Sequence, residues 1–321
     1  MSNKIIKTQN ESHLSAAHLS AERLAVITQV VCDSVQSDNT RRAYARALSE
    51  FVAWYQAAGE PELSKAVVRR YLAERRAAGM GTGAYNQALS AINKLVREAA
   101  DNQAIPEQVA NGIERIEGLK REGVRSGNWL TKEQAEQLIK APDITTLAGL
   151  RDRAILALLI GTGIRRAELC SLTFAHLAQR EGRWVILDMI GKRGKVRTVP
   201  VPSFAKHAID LWAQAAGISS GLIFRRINKS DALAGESITE QAIYYLVANY
   251  SRALWGEAGI IQPHDLRRTF AKLARRGGAQ LEQVSLVLGH SSLRTTQDYL
   301  GEQLDLSDAP CDRLGLHING E

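Results

Sequence analysis

The chain is organised around the stretch PHDLRRTFAKLARRGG (263–278) and, shortly after it, VLGHSSLRTTQDYL (287–300). Together they supply two imidazoles, His264 and His290, the guanidinium of Arg267 and the phenol of Tyr299. A guanidinium can bind two phosphate oxygens at once, an imidazole donates hydrogen bonds or transfers protons, and a phenol can act as a nucleophile. The set is suited to chemistry on a phosphodiester, although a histidine near an apolar helix face is more often structural.

Two upstream stretches add cations in settings that suit a phosphate. GTGIRRAEL (161–169) places Arg165 after a glycine turn and before a helix start, where backbone N–H groups favour anions. The alternative is an ordinary surface arginine. IGKRGKVRTV (190–199) places Lys192 at the tip of a predicted β-hairpin, from which a long side chain can reach a bound strand. Exposed lysines at turns are common, so this stretch by itself is a weak signal.

Length and composition set broad limits on the kind of protein. A chain of 321 residues is long enough for two domains, and 45% apolar with 23% charged residues is ordinary for a globular protein. The net charge of +7 and the pI of about 9.4 are compatible with a polyanionic partner without requiring one. Three widely separated cysteines, Cys32, Cys170 and Cys311, indicate neither a disulfide framework nor a zinc site.

The sequence favours a cytoplasmic location. Its first residues lack the apolar core of a signal peptide. The longest apolar run, AILALLIGTGI (154–164), is shorter than the ~20 residues that span a bilayer, so it predicts a buried helix instead.

The N-terminal part divides into a disordered tail, residues 1–18, and an all-helical domain, residues 19–119. Apolar spacing predicts a first helix over about 21–35, with Leu24, Ile27, Val30 and Val31 on its inner stripe. Four more helices follow, up to about residue 118. Polar and basic side chains on the outer faces of the second and fourth helices are either solubilising or candidates for DNA contact: Thr40, Arg42, Arg46 and Lys94.

The basic, glycine-containing segment KREGVRSGN (120–128) predicts a linker. A second domain covers residues 129–321, with a C-terminal tail from about 302. It is predicted to be mostly helical, beginning with Thr131 as a helix N-cap. Its clear β signal is the pair RWVILDMI (183–190) and KVRTVPV (195–201), which predicts an antiparallel hairpin.

In order, the chain contains GTGIRRAEL, a hairpin bearing GKRGK (191–195), HDLRRT (264–269), LGH (288–290) and a tyrosine nine positions after that histidine. This series resembles the tyrosine recombinase family (phage-integrase-like, Xer-type architecture). NTRRAYARALSEFVAWYQAAG (39–59) resembles the opening helix pair of that family's core-binding domain. The resemblance therefore implies a mainly α protein, with a helical-bundle, DNA-binding core-binding domain and a mostly helical catalytic domain that carries a small antiparallel hairpin or sheet.

The resemblance also implies roles for single residues. Six are implied to be catalytic and one supporting: Arg165, Lys192, His264, Arg267, His290 and Tyr299, with Glu168 in support. Tyr299 would attack the scissile phosphate to form a 3′-phosphotyrosyl bond. The two arginines would hold the non-bridging oxygens, the histidines would donate hydrogen bonds to the phosphate, and Lys192 would protonate the departing 5′ oxygen. Glu168 matches a carboxylate that orients the site.

The function so implied is site-specific recombination of duplex DNA through a Holliday junction, as integrase or resolvase. The expected assembly is a tetramer on paired DNA sites, of this chain alone or with a related recombinase. No cofactor or metal is expected, because the phosphotyrosyl bond retains the energy of the phosphodiester. Two alternatives remain at this point: a type IB topoisomerase-like enzyme that relaxes DNA, and an inactive DNA-binding regulator.

Overall fold

The computed structural model describes residues 19–120, 128–190, 196–290 and 292–300. The predicted N-terminal tail, residues 121–127 of the predicted linker and the predicted C-terminal tail lie outside the described residues. The chain divides into two compact units, Met1–Gly123 and Val124–Glu321. No helix in the described ranges is both long enough and apolar enough to cross a membrane.

In its described part the first unit is a bundle of five helices, and serine side chains cap the N-termini of three of them. The helices are α1 (Ala21–Asp33), α2 (Asp38–Ala57), α3 (Lys65–Ala77), α4 (Thr82–Asp101) and α5 (Glu107–Glu114). Ser20, Ser37 and Ser64 each accept a hydrogen bond from the backbone N–H three residues further on, which satisfies a donor that the helix leaves unpaired. The centre of the bundle is aromatic, with the rings of Phe51 and Tyr71 5.1 Å apart.

One inward position predicted for α1 is wrong. Leu24, Ile27 and Val31 are buried as expected, whereas Val30 is 44% exposed. Successive residues of a helix are rotated by about 100°, so Val30 lies well round the helix from its neighbour Val31 and at the edge of the apolar stripe.

The described part of the second unit combines eight helices with a small sheet. The helices are α6 (Lys132–Lys140), α7 (Leu147–Thr162), α8 (Arg166–Cys170), α9 (Ser203–Ala216), α10 (Glu240–Trp255), α11 (Pro263–Arg276), α12 (Leu281–Leu288) and α13 (Leu293–Leu300). Thr131 caps α6 as predicted, in a capping box with Gln134. The mainly α fold class with a small antiparallel sheet is thereby confirmed.

The sheet contains the predicted hairpin and one further strand. Strands β1 (Leu177–Arg180), β2 (Arg183–Ile190) and β3 (Val196–Pro200) are antiparallel in the order β1-β2-β3. The sequence analysis missed β1, whose four residues LAQR include no β-branched or aromatic side chain. Pairing with β2 stabilises β1, and a tight turn in which Glu181 and Gly182 both have positive φ joins the two strands.

Helix α7 is the centre of the second unit. Every residue from Ala154 to Ile160 is buried, so the helix is apolar on all sides and other elements surround it, as its sequence predicted. The Thr146 hydroxyl caps its first turn and Gly163, in the left-handed conformation, ends it. The C-terminal end of α7 therefore leads directly to Arg165 at the start of α8.

Candidate active site

The turn after α7 requires a glycine at position 163. Gly163 has φ of +64°, and a side-chain carbon there would lie 2.6 Å from Cδ1 of Phe270. Both the conformation and the space therefore exclude other residues without rearrangement. Ile164, 1% exposed, anchors the next position, and Arg165 follows directly at the start of α8.

Glu168 holds Arg165 at two points. The backbone N–H of Arg165 donates to Oε2 of Glu168 at 2.7 Å, and its Nη1 donates to Oε1 at 2.9 Å. The carboxylate is 5% exposed and the guanidinium 34% exposed. Burial alone would raise the pKa of Glu168, but hydrogen bonds from Arg197 and from the Arg165 backbone, with the charges of both arginines, leave it below the usual range. A partly accessible cation is thus fixed by a buried anion.

The same carboxylate also binds Arg197, a residue that the sequence analysis did not single out. Arg197 lies on β3 and donates from Nη1 and Nη2 to the two oxygens of Glu168, at 3.0 and 2.8 Å. Its Nε donates to the backbone carbonyl of Val287 at 2.8 Å, and its side chain is 9% exposed. The sequence does show Arg197 within the β-branched run of the hairpin. It does not indicate the buried partner of this arginine, Glu168, which is 29 residues away.

Arg267 joins the ends of two helices. It is 3% exposed and lies on α11. Its Nη1 donates to the carbonyl of Gly163 at 2.6 Å and its Nη2 to the carbonyl of Leu288, so it contacts the C-terminal ends of α7 and α12. Carbonyls at helix C-termini carry partial negative charge and attract cations. The buried guanidinium is therefore stabilised by backbone dipoles.

Two histidines lie in this electropositive region. His290 follows Gly289, which has φ of +63°, and its Nδ1 lies 2.8 Å from Oγ1 of Thr296. Burial, followed by the charges of Arg267 and Arg165, lowers the pKa of His290 to about 4. For His264, at the start of α11, desolvation and then the charges of Arg268 and Arg267 lower the pKa as well. Both shifts favour the neutral form of the imidazole at pH 7.

The predicted nucleophile lies on the last described helix, and the predicted acid belongs to the segment between β2 and β3. Tyr299 belongs to α13, whose last residue, Leu300, is 4% exposed and packs with Ala271, Val284 and Leu288. The side chain of Tyr299 lies outside the described part of the structure. Lys192 also lies outside the described residues, although both strands that carry its loop are described. The structure thus brings Arg165, Glu168, Arg267 and the two histidines together, and it places the backbone of the Tyr299 helix beside them.

A bulge in the sheet lies a few residues before that loop. Leu187 and Asp188 on β2 both face the single residue Thr198 on β3, since Ile186 pairs with Val199 and Met189 with Arg197. Asp188 has φ of +52°, a conformation that costs most side chains energy but that aspartate tolerates. Bulges change the direction of a strand and are common next to active sites.

The candidate DNA-binding residues all lie in the first unit. Thr40, Arg42 and Arg46 are exposed on α2. Arg42 donates to Oδ1 of Asn39 at 2.7 Å and Arg46 to Oε1 of Glu50 at 3.1 Å. Lys94 on α4 is partly buried. Within the described ranges, no three His, Cys, Asp or Glu side chains are grouped in a way that could hold a metal ion.

Comparison with known proteins places this site in a family. The model of the phage integrase family matches residues 128–304, and that of the phage integrase N-terminal SAM-like domain matches residues 31–103. The tyrosine recombinase XerD of Pseudomonas aeruginosa is 29% identical over 272 residues, which cover 82% of this chain and 86% of XerD. The tyrosine recombinase XerC of Pelobacter propionicus is 32% identical over 278 residues, 84% of this chain and 86% of XerC.

Solved structures share the fold. XerH site-specific recombinase, bound to a palindromic difH substrate after cleavage, superposes with a TM-score of 0.69 at 17% identity, over 90% of this chain and 94% of that chain. A lambda integrase dimer bound to a core site gives a TM-score of 0.64 at 15% identity, over 88% of this chain and 96% of that chain. Because the family model spans most of the second unit, including the positions from Arg165 to Tyr299, the chain belongs to the phage integrase family of tyrosine recombinases.

Proposed function

We propose that this chain carries out site-specific DNA recombination by tyrosine transesterification at the site around Arg165, Arg267 and His290. As a family member it is an enzyme of DNA strand cleavage and rejoining. The observation that carries the residue assignment is the arrangement of two guanidiniums and an imidazole, the latter in contact with the helix that contains Tyr299.

The first step is the binding of a phosphodiester by the two arginines. A phosphodiester is an anion that repels nucleophiles, and two guanidiniums on its non-bridging oxygens offset both that charge and the charge that grows in the transition state. Arg165 supplies a partly exposed guanidinium held by Glu168. Arg267 supplies a buried one held by backbone carbonyls, so neither cation has to reorganise when charge develops.

The covalent step exchanges one P–O bond for another. The phenolic oxygen of Tyr299 attacks phosphorus, and the bond from phosphorus to the 5′ oxygen breaks with its electron pair on that oxygen. Lys192 then donates a proton to the 5′ oxygen. The phenol loses its proton to a neighbouring base, for which we propose His264, because its lowered pKa leaves it neutral and able to accept. Attack by a 5′-hydroxyl of a partner strand reverses the same step.

The remaining parts of the proposal concern DNA and assembly. We propose that residues 19–119 form the core-binding domain and residues 129–321 the catalytic domain, joined by a linker at 120–128. The phosphate contacts of the first domain are assigned to Thr40, Arg42, Arg46 and Lys94. Four chains, with or without a related recombinase, would assemble on two recombination sites and resolve a Holliday junction. The cytoplasmic location stays a prediction.

The rival activities predict different products. A type IB topoisomerase would relax supercoiled plasmid that lacks a recombination site, and an inactive regulator would bind DNA without forming a covalent adduct. Family membership does not favour either.

The test uses the full chain and a duplex that the protein itself selects from a random-sequence library, nicked so that cleavage is trapped. Wild-type protein should form a denaturant-resistant protein–DNA adduct, whereas Tyr299→Phe should form none and still bind the duplex. Tyr245→Phe is the matched control, because this phenol on α10 is 57% exposed and lies in another helix. An adduct that persists in Tyr299→Phe would refute the nucleophile assignment.

A further inference from the structure

We infer that Arg197 is a positioning residue of the recombination site, linking the carboxylate that holds Arg165 to the turn that carries His290. This inference rests on the proposed function. It adds a second supporting side chain, beside Glu168, to the six implied catalytic residues and assigns it a specific task. Arg197 need not touch DNA; it acts through Glu168 and through the end of α12.

The first observation is the sharing of one buried carboxylate by two arginines. Glu168 accepts hydrogen bonds from the backbone and guanidinium of Arg165 and from both terminal nitrogens of Arg197. Arg197 is 9% exposed and Arg165 34% exposed, so Arg197 is the inner partner and Arg165 the outer one. A bidentate guanidinium–carboxylate pair has a defined plane and direction, which a lysine cannot reproduce.

Charge explains why two cations serve better than one. If Arg165 were the only partner of Glu168, the carboxylate would offset the positive charge of the guanidinium that must bind the phosphate. With Arg197 on the same carboxylate, the anion is compensated from inside the protein. Arg165 then keeps its orientation while more of its positive potential is directed at the phosphate.

The second observation is the clamp on the last turn of α12. Arg197 donates to the carbonyl of Val287, and Arg267 donates to the next carbonyl, that of Leu288. Two guanidiniums thus bind consecutive carbonyls at the point where the helix ends and the chain turns towards His290. The carbonyls of a C-terminal turn have no partner within the helix, so these bonds define where the turn lies.

The third observation is the close passage of the chain over Arg197. A side-chain carbon at Gly289 would lie 3.0 Å from Cδ of Arg197 and 3.2 Å from its Nε. The backbone immediately before His290 therefore rests on the stem of this arginine. The position of the Arg197 side chain therefore decides how near His290 lies to Arg165. The contact between His290 and Thr296 connects this turn to α13.

The competing explanation is a buried ion pair that stabilises the fold only. Arg151 offers a matched control, since it also pairs with an adjacent carboxylate, Asp152, at 2.7 Å. Its side chain is 13% exposed, and it also donates to a backbone carbonyl, that of Arg225. Among its contacts in the described part of the chain, none is with the site residues named above.

The experiment compares Arg197→Met, Arg197→Lys and Arg151→Met in the full chain, with the trapped duplex described above. At saturating DNA, adduct formation by Arg197→Met should slow about 100-fold, the order expected for misplaced reacting groups, while the DNA Kd changes by less than about threefold. Arg197→Lys should recover part of the rate, because charge returns without the fork. Arg151→Met should lose stability and keep the wild-type rate per folded molecule.

A second readout needs no DNA. Removing Arg197 takes away a cation near His290 and loosens its turn, so NMR titration of Arg197→Met should show the pKa of His290 rising. Arg151→Met should leave it unchanged.

If Arg197→Met does not fold, the cleavage rate of Arg197→Lys decides the matter. A wild-type rate in the folded Lys variant, or equal losses in Arg197→Met and Arg151→Met, would overturn the inference. Absence of an adduct with wild-type protein would count against the proposed function instead, and an unmoved His290 would then reject the role of Arg197 independently.

Discussion

The Nδ1 atom of His290 lies 2.8 Å from Oγ1 of Thr296, and this contact joins the turn after α12 to the helix that contains Tyr299. Thr296 is 0% exposed, and Tyr299 follows it by three positions, about one helical turn. A histidine proposed to bind phosphate is thus connected to the backbone that carries the proposed nucleophile.

Replacement of Thr296 by valine should therefore affect cleavage more than folding. Valine keeps the shape and removes the hydroxyl, so the ring of His290 loses one orienting contact worth about 1 kcal/mol. Adduct formation at saturating DNA should fall several-fold, with DNA binding unchanged. Thr295→Val is the control, because Thr295 is exposed and its hydroxyl contacts Ser292. Equal rates in the two variants would argue against the connection.

Gly163→Ala should destabilise the protein and slow cleavage. Its φ of +64° imposes about 1 kcal/mol of strain on alanine, and the contact with Phe270 adds about 1–3 kcal/mol of overpacking. Because the Gly163 carbonyl accepts a hydrogen bond from Arg267, any shift also moves a proposed catalytic cation. Gly217→Ala isolates the strain, since Gly217 has the same φ with open space around it. Urea unfolding and adduct rates should separate the backbone strain from the contact with Phe270. Similar losses of stability and of cleavage rate in both variants would exclude the packing argument.

His290 should make stability depend on pH in a defined window. Its pKa is about 4 in the folded protein and about 6.5 when unfolded, so between these values the unfolded chain binds the extra proton. Stability is therefore fully present above pH 6.5 and is lost as pH falls towards 4. Urea midpoints measured from pH 7 to pH 4 should fall less steeply for His290→Gln than for wild type. Parallel curves would contradict the assignment.

An anion in the site should raise the pKa of His290. Sulfate, a tetrahedral oxyanion that does not titrate in this range, would partly cancel the fields of Arg267 and Arg165 and so favour the imidazolium. NMR titration with sulfate should move the His290 midpoint upward, whereas chloride at equal ionic strength should move it less. Equal responses to both salts would indicate general screening rather than a phosphate site.

Substitutions in the first unit should change the salt dependence of DNA binding. If Arg42, Arg46 and Lys94 contact phosphates, neutralising each one should reduce the slope of log affinity against log salt by about one unit. Arg42 and Arg46 would first have to release Asn39 and Glu50. Arg69→Gln, an exposed change on α3, should leave the slope unaltered. A slope unchanged in the first three variants would refute their placement.

The local sequence pattern was sufficient to predict many of the helices and strands of this protein. The all-apolar run of α7, the Thr131 cap and the β2–β3 hairpin each follow from residues that are neighbours in the chain, because helix and strand periodicity is a short-range property. The order of the motifs from Arg165 to Tyr299 was likewise readable without coordinates. Prediction failed where the local pattern was weak. Strand β1 has no β-branched or aromatic residue, and Val30 lies at the edge of the apolar stripe of α1.

The contacts that organise the site required the tertiary structure. Arg197 meets Glu168 across 29 positions, and the Gly163 carbonyl receives Arg267 across 104. No periodicity reports such pairs, since they depend on how separate helices and a strand pack in space. The amino-acid sequence by itself determined which side chains are available for phosphodiester chemistry and in which elements they lie. Only tertiary packing decided which cation faces which carboxylate or carbonyl, because burial makes an unpaired charge costly and so selects the partners that close packing brings within hydrogen-bond distance.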